Sequence, residues 1–276
     1  MPGTKLSGNS NTRNRGMGGA AKTARGNMLP EATVIVRTYN DRATVGRALR
    51  SAFSQTYANC RVLVVHDTDS TDGTIEAVGR FLSHDPSVKG RAWSMAPVAH
   101  TTCWGAFQAA LMMVDDAEYI FVLDADNTMP PTRVADQIAI HPSAPGACTG
   151  VIRHVTPRGK VLATRPTDPT VNYTKLLRYN RYDNLSIMYR GFWARERLLP
   201  AMREADRWIS GEKVEDYFGV LVAARDGVLC HHPSLVCGNY AVRPGAQSRR
   251  RDPMVPTRNT LQAAPMVLSV ANDPEV

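Results

Sequence analysis

Two acidic residues end an apolar segment near the middle of the chain. Asp124 and Asp126 follow residues 119–123, a run of β-branched, aromatic and leucine residues. Such a run predicts a buried strand whose carboxyl end carries the acids. Ligands of open α/β sheets bind at that end of the strands. Paired carboxylates there can hold a hard divalent cation, and the cation can neutralise a diphosphate.

The residues before this segment predict the elements that would position the acids. Runs rich in β-branched residues at 34–36 and 61–65 predict strands, and apolar residues recur at helical spacing over 43–53, 74–82 and about 104–114. This alternation is typical of an α/β fold with a mostly parallel sheet covered by helices. The carboxyl ends of parallel strands share one edge, so we expect one site assembled there from three strand ends.

The formal net charge of +8 is unevenly distributed along the chain. Residues 1–30 hold five lysines and arginines and no acid, which predicts a disordered basic tail. Residues 246–276, a basic extension that contains prolines, carry +1, and the body between carries only +2. The folded body is therefore expected to be nearly neutral. The basic ends are candidates for contact with a polyanion, which could be nucleic acid, anionic lipid or a partner.

Composition excludes several classes of protein. At 276 residues and 43% hydrophobic content, the chain can bury a full core as one large domain or two small ones. No apolar run approaches the roughly 20 residues that span a bilayer, and the N-terminus lacks the apolar core of a signal peptide. Five scattered cysteines without a C-x-x-C pair argue against a disulfide framework and a zinc site. A cytoplasmic protein without a transmembrane segment is expected.

Three familiar ligand-binding motifs are present only in part. Residues 16–23 resemble a phosphate-binding P-loop, but Ala21 replaces its second glycine and no strand precedes it. Residues 67–73 resemble a calcium loop, but Val78 stands where that loop needs glutamate. No G-x-G-x-x-G follows the first predicted strand, which disfavours a dinucleotide fold.

Several motifs taken together resemble the family-2 glycosyltransferases. They follow the family's order from about residue 32 to 240. The donor-side motifs are V-I-V-R-T-Y-N at 34–40, S-A-F-S-Q-T-Y at 51–57, residues 64–74, and L-D-A-D at 123–126 with M-P-P at 129–131. An acceptor-side block follows at 195–199, 211, 215–217 and 225–227. The resemblance implies a GT-A fold and a nucleotide-diphosphate sugar as donor, with a UDP-sugar favoured. It divides a glycosyltransferase domain at 31–245 into a Rossmann-like nucleotide-sugar half at 31–130 and an acceptor half at 131–245.

The resemblance implies that the nucleotide base is held at the first two strand ends. Thr38 and Tyr39 follow the first strand and Asp67 follows the second, where they would cradle the base. Asp67 would accept a hydrogen bond from the uracil N3–H. Family loops are usually one residue shorter at this point, so Asp69 would share this role with Asp67 or take it over. The alternative is that these positions are only solvated turn and cap residues.

The resemblance assigns the metal to the acids after the third strand. Asp126 would bind Mn²⁺ or Mg²⁺ directly, and Asp124 would reach the ribose or a metal-bound water. The cation would act as a Lewis acid for the diphosphate leaving group. Asn127 is expected to cap the loop.

The acceptor side of the resemblance supplies a general base. Asp216 would take the proton from the acceptor hydroxyl in a single in-line displacement, which inverts the anomeric centre. Glu215 would position Asp216 or touch the acceptor. The alternative is that both acids only begin a helix over 217–224, where acids suit the helix dipole. The two interpretations are compatible, because a base can lie at a helix N-terminus.

The chain departs from the family pattern at three places. His100 stands where many members have Arg or Lys, which puts the donor preference in doubt. Residues 247–251 lack the Trp of the processive Q-x-x-R-W motif, which argues against polymer synthesis. Their arginines are either phosphate contacts or a solvated basic run: Arg249, Arg250 and Arg251. His231 and His232 are further candidates for a late metal ligand, although they begin a predicted strand.

The sequence therefore predicts a soluble, metal-dependent, inverting enzyme that transfers one sugar. Its acceptor is a protein, glycan, lipid carrier, small metabolite or modified DNA base. One alternative is a non-catalytic nucleotide-sugar binder. The presence of both Asp126 and Asp216 argues against it. The other is a sugar nucleotidyltransferase, which should have a glycine-rich loop where residues 37–40 have none.

Overall fold

The computed structural model describes residues 13–14, 29–99, 102–114, 117–141, 145–165, 172–177, 182–206 and 215–242. The strands are β1 (Arg13–Asn14), β2 (Ala32–Thr38), β3 (Cys60–Asp67), β4 (Trp93–Val98), β5 (Tyr119–Asp124), β6 (Ala147–Val155), β7 (Val161–Arg165), β8 (Met188–Arg190) and β9 (Leu229–Ala241). The helices are α1 (Val45–Phe53), α2 (Thr74–His84), α3 (Cys103–Met112), α4 (Arg133–Ile140), α5 (Tyr173–Leu176), α6 (Gly191–Trp193), α7 (Leu199–Ala205) and α8 (Glu215–Arg225). A π-helical segment, Ala194–Leu198, joins α6 to α7, and 3₁₀ turns occupy Pro86–Val88 and Asn184–Ser186.

One mixed sheet contains all the described strands. Its order is β1-β4-β3-β2-β5-β8-β6-β7, and β9 pairs with β6. The strands β4, β3, β2 and β5 are parallel, as predicted, whereas β8 is antiparallel to both β5 and β6. β7 follows β6 after a short turn, and so short a connection can join only antiparallel strands. Apart from β1, which is antiparallel to β4, every described antiparallel pair involves a strand from the second half of the chain.

The core lies on both faces of this sheet because successive strand residues point to opposite sides. On one face Ile35 and Ile120 pack with α3, α7 and α8. On the other face Val36 and Phe121 pack with α1, α2 and α4. The near-continuous apolar runs of β2, β3 and β5 are typical of parallel strands that are covered on both faces.

The predicted basic tail lies largely outside the described residues. Within it, Arg13 and Asn14 pair with Trp93 and Ser94 at the outer edge of β4. The C-terminal extension at 246–276 is also outside the described residues, so the proposed boundaries of both ends stay predictions. In the part of the chain that is described, no helix has the length and apolar character needed to cross a membrane.

Gly191 occupies a position without space for a side chain. A Cβ atom at Gly191 would lie 1.8 Å from the backbone carbonyl oxygen of Ala117, and a backbone atom cannot swing away. We expect Gly191→Ala to lower the free energy of unfolding by about 2–3 kcal/mol, the cost of overpacking a buried site. Urea unfolding followed by circular dichroism would measure it.

Gly79→Ala is the matched control for this prediction. Gly79 lies inside α2, and a Cβ there would meet no heavy atom within 4 Å. The same substitution is expected to raise stability by about 0.5–1 kcal/mol, because alanine loses less backbone entropy than glycine in a helix. Equal effects of the two substitutions would contradict the packing described around Gly191.

Candidate functional site

The three predicted strand ends meet at one edge of the sheet. Thr38 of β2 pairs with His66 of β3, and Arg37 of β2 pairs with Asp124 of β5. All three strands are parallel, so their carboxyl ends share that edge, which is hereafter called the carboxyl edge. The prediction of a single edge formed by three strand ends is confirmed.

Strand alternation separates the candidate residues into two groups. Asp124 pairs with Arg37 and lies on the face that packs against α3, and Asp67 lies on that same face of β3. Thr38 and its neighbour His66 lie on the opposite face, which packs against α1 and α2. Asp67 and Asp124 therefore share one face at the carboxyl edge, on the two strands that flank β2.

The two loops of the predicted base site are joined by hydrogen bonds. Asn40, at a φ of 53°, accepts a bond from the Thr71 amide at 2.9 Å and donates its own amide to the Ser70 hydroxyl at 3.3 Å. The Asp41 amide donates to the Thr74 hydroxyl at 2.7 Å. The loops after β2 and β3 thus form one continuous surface at the carboxyl edge.

The side chains predicted to cradle the base differ in their exposure. Asp67 is buried and its Oδ1 accepts a bond from the Asp69 amide at 2.9 Å, whereas the Asp69 side chain is exposed. The ring of Tyr39 is 48% exposed. Thr38 is buried, and its hydroxyl makes no hydrogen bond to any described residue. Of these side chains, the exposed ring of Tyr39 is the one that a planar ligand could stack on.

His66 is a further polar group at this position. Its Nδ1 atom is buried without a hydrogen-bond partner among the described residues. Burial lowers the pKa of His66 below its ordinary value, and the nearby Asp67 carboxylate partly opposes this shift. The lowered pKa favours the neutral ring, and its Nδ1 atom is enclosed at the carboxyl end of β3.

Arg37 fixes the first acid of the metal motif. It is only 7% exposed and donates from Nε and from Nη2 to Oδ1 of Asp124, at 3.0 and 2.5 Å. Its Nη1 donates to the carbonyl of Cys103 at 3.0 Å, where α3 begins. Sequence reasoning missed this residue, although an arginine inside an otherwise apolar strand was a visible signal. Arg37 thus holds Asp124 in place and offsets its charge.

Removing Arg37 is expected to destabilise the fold. Arg37→Met would leave the Asp124 carboxylate and the Cys103 carbonyl without their donor, at a cost of about 2 kcal/mol. Arg50→Met is the matched control, since Arg50 also pairs with an aspartate, Asp85, but its side chain is 63% exposed. Exposed pairs contribute less than about 1 kcal/mol. Chemical unfolding of both variants would test this, and equal losses would contradict it.

The loop that carries Asp126 is held by backbone contacts. The Asn127 amide donates to the Asp124 carbonyl at 2.9 Å, and its Oδ1 accepts a bond from the Ala241 amide at 3.0 Å. Arg47 donates to the Asp126 carbonyl at 3.3 Å. Asn127 therefore ties the loop to the end of β9, which agrees with its predicted capping role and extends it.

The described residues include no group of three or more histidine, cysteine or acidic side chains that could hold a metal. Two carboxylates are still sufficient for Mg²⁺ or Mn²⁺, because these ions keep several waters and share substrate phosphates. His231 does not join them: it lies at the start of β9, where its Nδ1 is 2.9 Å from the Thr149 hydroxyl. His232 follows it there, whereas the end of β9 meets Asn127.

The predicted general base lies in the first turn of α8. This helix begins at Glu215, so both acids occupy its N-terminus, but the side chains of Glu215 and Asp216 are outside the described part of the chain. Phe218 packs edge-on against Trp104, with ring centroids 5.0 Å apart. Trp104 directly follows Cys103, which accepts a bond from Arg37. The start of α8 therefore lies beside the start of α3, at the carboxyl edge.

Two groups of sequence candidates lie outside the described residues: His100 and the arginines at 249–251. The suggested phosphate contacts of the three arginines, and the effect of His100 on donor preference, remain predictions.

Comparison with known proteins decides the family. Residues 33–199 match the family described as Glycosyl transferase family 2, which is more than half of the chain. The chain belongs to this family. The match ends before α8, so it includes the strand ends and the metal motif but not Asp216. No curated protein matches the sequence of this family-2 member.

Solved structures share its fold at low sequence identity. S. aureus TarS 1-349 in complex with UDP-GlcNAc aligns over 88% of this chain and 67% of that chain, with a TM-score of 0.62 and 16% identity. The mannosyltransferase PcManGT from Pyrobaculum calidifontis, in complex with GDP-Man and Mn²⁺, aligns over 90% and 76%, with a TM-score of 0.54 and 18% identity. These likenesses support the predicted GT-A fold.

The family-2 chain is shorter than the TarS proteins that it resembles. It spans 60% of the length of one TarS 1-349 structure and 37% of the longer TarS structure.

Proposed function

We propose that this protein transfers a single sugar from a nucleotide-diphosphate sugar, with a UDP-sugar favoured, to an acceptor hydroxyl. The observation that carries the proposal is the strand register that brings Asp67 and Asp124 to one edge of the sheet in a family-2 chain. Ligands of open α/β sheets bind at this edge. A cytoplasmic location is kept as a prediction.

The nucleotide would bind across the ends of β2 and β3. The exposed ring of Tyr39 suits stacking on a base, and Thr38 precedes it at the end of β2, where it would help to shape the base site. Asp67 or Asp69 would accept a bond from the base. Support for a nucleotide-sugar donor comes from the complexes of TarS with UDP-GlcNAc and of PcManGT with GDP-Man and Mn²⁺.

The two aspartates of the metal motif would have unequal roles. Because Arg37 offsets the charge of Asp124, that carboxylate is the weaker metal ligand and suits the ribose or a metal-bound water. Asp126 would be the direct ligand of Mn²⁺ or Mg²⁺. Oxygen donors of this kind fit both ions. When bound, the cation would stabilise the negative charge of the diphosphate leaving group as a Lewis acid.

Asp216 would act as general base on the acceptor hydroxyl. The hydroxyl oxygen would attack the anomeric carbon on the side opposite to the diphosphate, while the proton moves to a carboxylate oxygen of Asp216. One displacement of this kind inverts the anomeric centre. Glu215, beside it in the first turn of α8, would orient the acceptor or the base.

Calorimetric titration with UDP, GDP and dTDP, each with Mn²⁺ and with EDTA, tests the donor site. The proposal predicts binding that needs the metal and prefers UDP. Equal affinity in Mn²⁺ and EDTA would contradict the assigned role of Asp126. Failure of all three nucleotides to bind would contradict the proposed function as a whole.

A further inference from the structure

The hairpin formed by β6 and β7 lies beside the proposed site. β6 and β5 are both antiparallel to β8, so β6 is parallel to β5 and its end lies at the carboxyl edge. Arg47 bridges the two regions, since it donates to the carbonyl of Pro157 at 2.5 Å and to the carbonyl of Asp126 at 3.3 Å. The turn at 156–160 is therefore a direct neighbour of the metal motif.

This hairpin carries charge of a single sign. Its exposed cations are Arg153, Arg158, Lys160 and Arg165. The structure shows no side-chain hydrogen bond or ion pair for any of the four within its described ranges. By contrast, Arg50 and Arg190 elsewhere are paired with carboxylates. No acidic residue occurs between Asp136 and Asp168, so nothing in the local sequence offsets these charges.

The same hairpin exposes aliphatic side chains beside its cations. Val161 is 49% exposed and Leu162 is 54% exposed, and every residue of β7 is exposed. β7 ends the sheet, so its outer edge pairs with no other described strand. Cations and aliphatic groups therefore lie side by side on a projecting element at the carboxyl edge.

We propose that the β6–β7 hairpin docks this protein on an anionic lipid bilayer, with the carboxyl edge turned toward the membrane. Lysine and arginine are attracted to anionic headgroups, and adjacent aliphatic groups enter the interface. The docked orientation brings Asp126 and the first turn of α8 close to the bilayer surface. The proposal extends the proposed function by presenting the acceptor hydroxyl at a membrane, but vesicle binding itself does not depend on catalysis.

Three other roles for the hairpin explain fewer of its exposed side chains than membrane docking does. Charges on an edge strand discourage pairing with another sheet, but that role does not require Val161 and Leu162 to be exposed. A second copy docked edge to edge would bring like charges together. A soluble polyanion would use the cations alone. A membrane uses both kinds of side chain and accounts for their position next to the site.

The test is cosedimentation of the full chain with vesicles of phosphatidylcholine and phosphatidylglycerol in equal parts, and with phosphatidylcholine alone. The wild type is expected to bind only the anionic vesicles. Arg158→Gln/Lys160→Gln should weaken the partition coefficient about tenfold or more, because each cation near the surface contributes substantially. Leu162→Gln should weaken it several-fold through lost apolar contact.

Matched controls separate docking from general charge effects. Arg80→Gln/Lys89→Gln removes the same charge from exposed positions outside the hairpin, and Ile140→Gln alters an aliphatic residue that is 41% exposed at the end of α4. Both should bind vesicles as the wild type does. Equal losses in the hairpin and control pairs would overturn the proposal.

Two further measurements distinguish a membrane from the other two partners considered, a soluble polyanion and a second copy of the chain. The first is binding to inorganic polyphosphate. If Leu162→Gln binds vesicles normally while Arg158→Gln/Lys160→Gln loses affinity for polyphosphate, the surface binds a soluble polyanion and the proposal is wrong. The second is the oligomeric state. A dimer that forms without vesicles and is lost in Arg158→Gln/Lys160→Gln would also overturn the proposal. UDP titration of the same variants should be unchanged. Absence of UDP binding in the wild type would contradict the proposed function. It would not affect the docking proposal, which the vesicle assay tests independently.

Discussion

Asp216→Asn is expected to lower the turnover number by about 10²- to 10⁴-fold, the usual contribution of a positioned general base. Asparagine has nearly the same shape but cannot accept the proton from the acceptor hydroxyl. The nucleotide would bind at the ends of β2 and β3, so its affinity should change little. Initial rates of nucleoside diphosphate release, combined with UDP titration, would show this separation of catalysis from binding.

Glu215→Gln is the control for that prediction. It neutralises the neighbouring acid in the same first turn of α8, so any effect of helix-dipole charge is shared by both variants. The proposed positioning role predicts a smaller loss of turnover for Glu215→Gln than for Asp216→Asn. A larger loss would reverse the two roles. Equal, small losses would identify both acids as helix-terminal residues without catalytic function.

Asp126→Asn is expected to remove the dependence of turnover on Mn²⁺ together with most of the rate. A Lewis acid stabilises the leaving group by several kcal/mol, which corresponds to roughly 10³-fold in rate. The loss should appear both as weaker metal activation and as a lower rate at saturating metal. A titration of activity with Mn²⁺ measures both quantities.

Asp124→Asn provides the internal comparison. Because Arg37 already offsets the charge of Asp124, the metal affinity should fall less than in Asp126→Asn. The donor affinity should fall as well if Asp124 contacts the ribose. A greater loss of metal affinity in Asp124→Asn would show that the two aspartates have been assigned in the wrong order.

The first half of the fold follows from local patterns. The apolar runs of β2, β3 and β5 are continuous, and polar residues mark the point at which each strand ends. Parallel pairing then requires those ends to meet, which is why the carboxyl edge was predictable. The helices α1, α2 and α3 begin and end within two residues of the predicted positions, since their apolar spacing is regular.

The features that were missed depend on contacts between distant parts of the sequence. Arg37 and Asp124 are 87 positions apart and meet only because β2 and β5 are neighbours in register. The placement of β8 between β5 and β6 has no local signal, and it decides that the β6–β7 hairpin reaches the carboxyl edge. Sequence spacing likewise does not show that His231 and Asn127 meet opposite ends of β9.

Release of nucleoside diphosphate from UDP-, GDP- and dTDP-sugars, with Mn²⁺, Mg²⁺ or EDTA, tests the central claim most directly. We expect slow hydrolysis of one donor, a UDP-sugar, that requires the metal and is abolished in Asp126→Ala. Absence of hydrolysis with every donor, together with no metal-dependent thermal shift with any nucleotide, would contradict the assigned donor site and favour a non-catalytic protein.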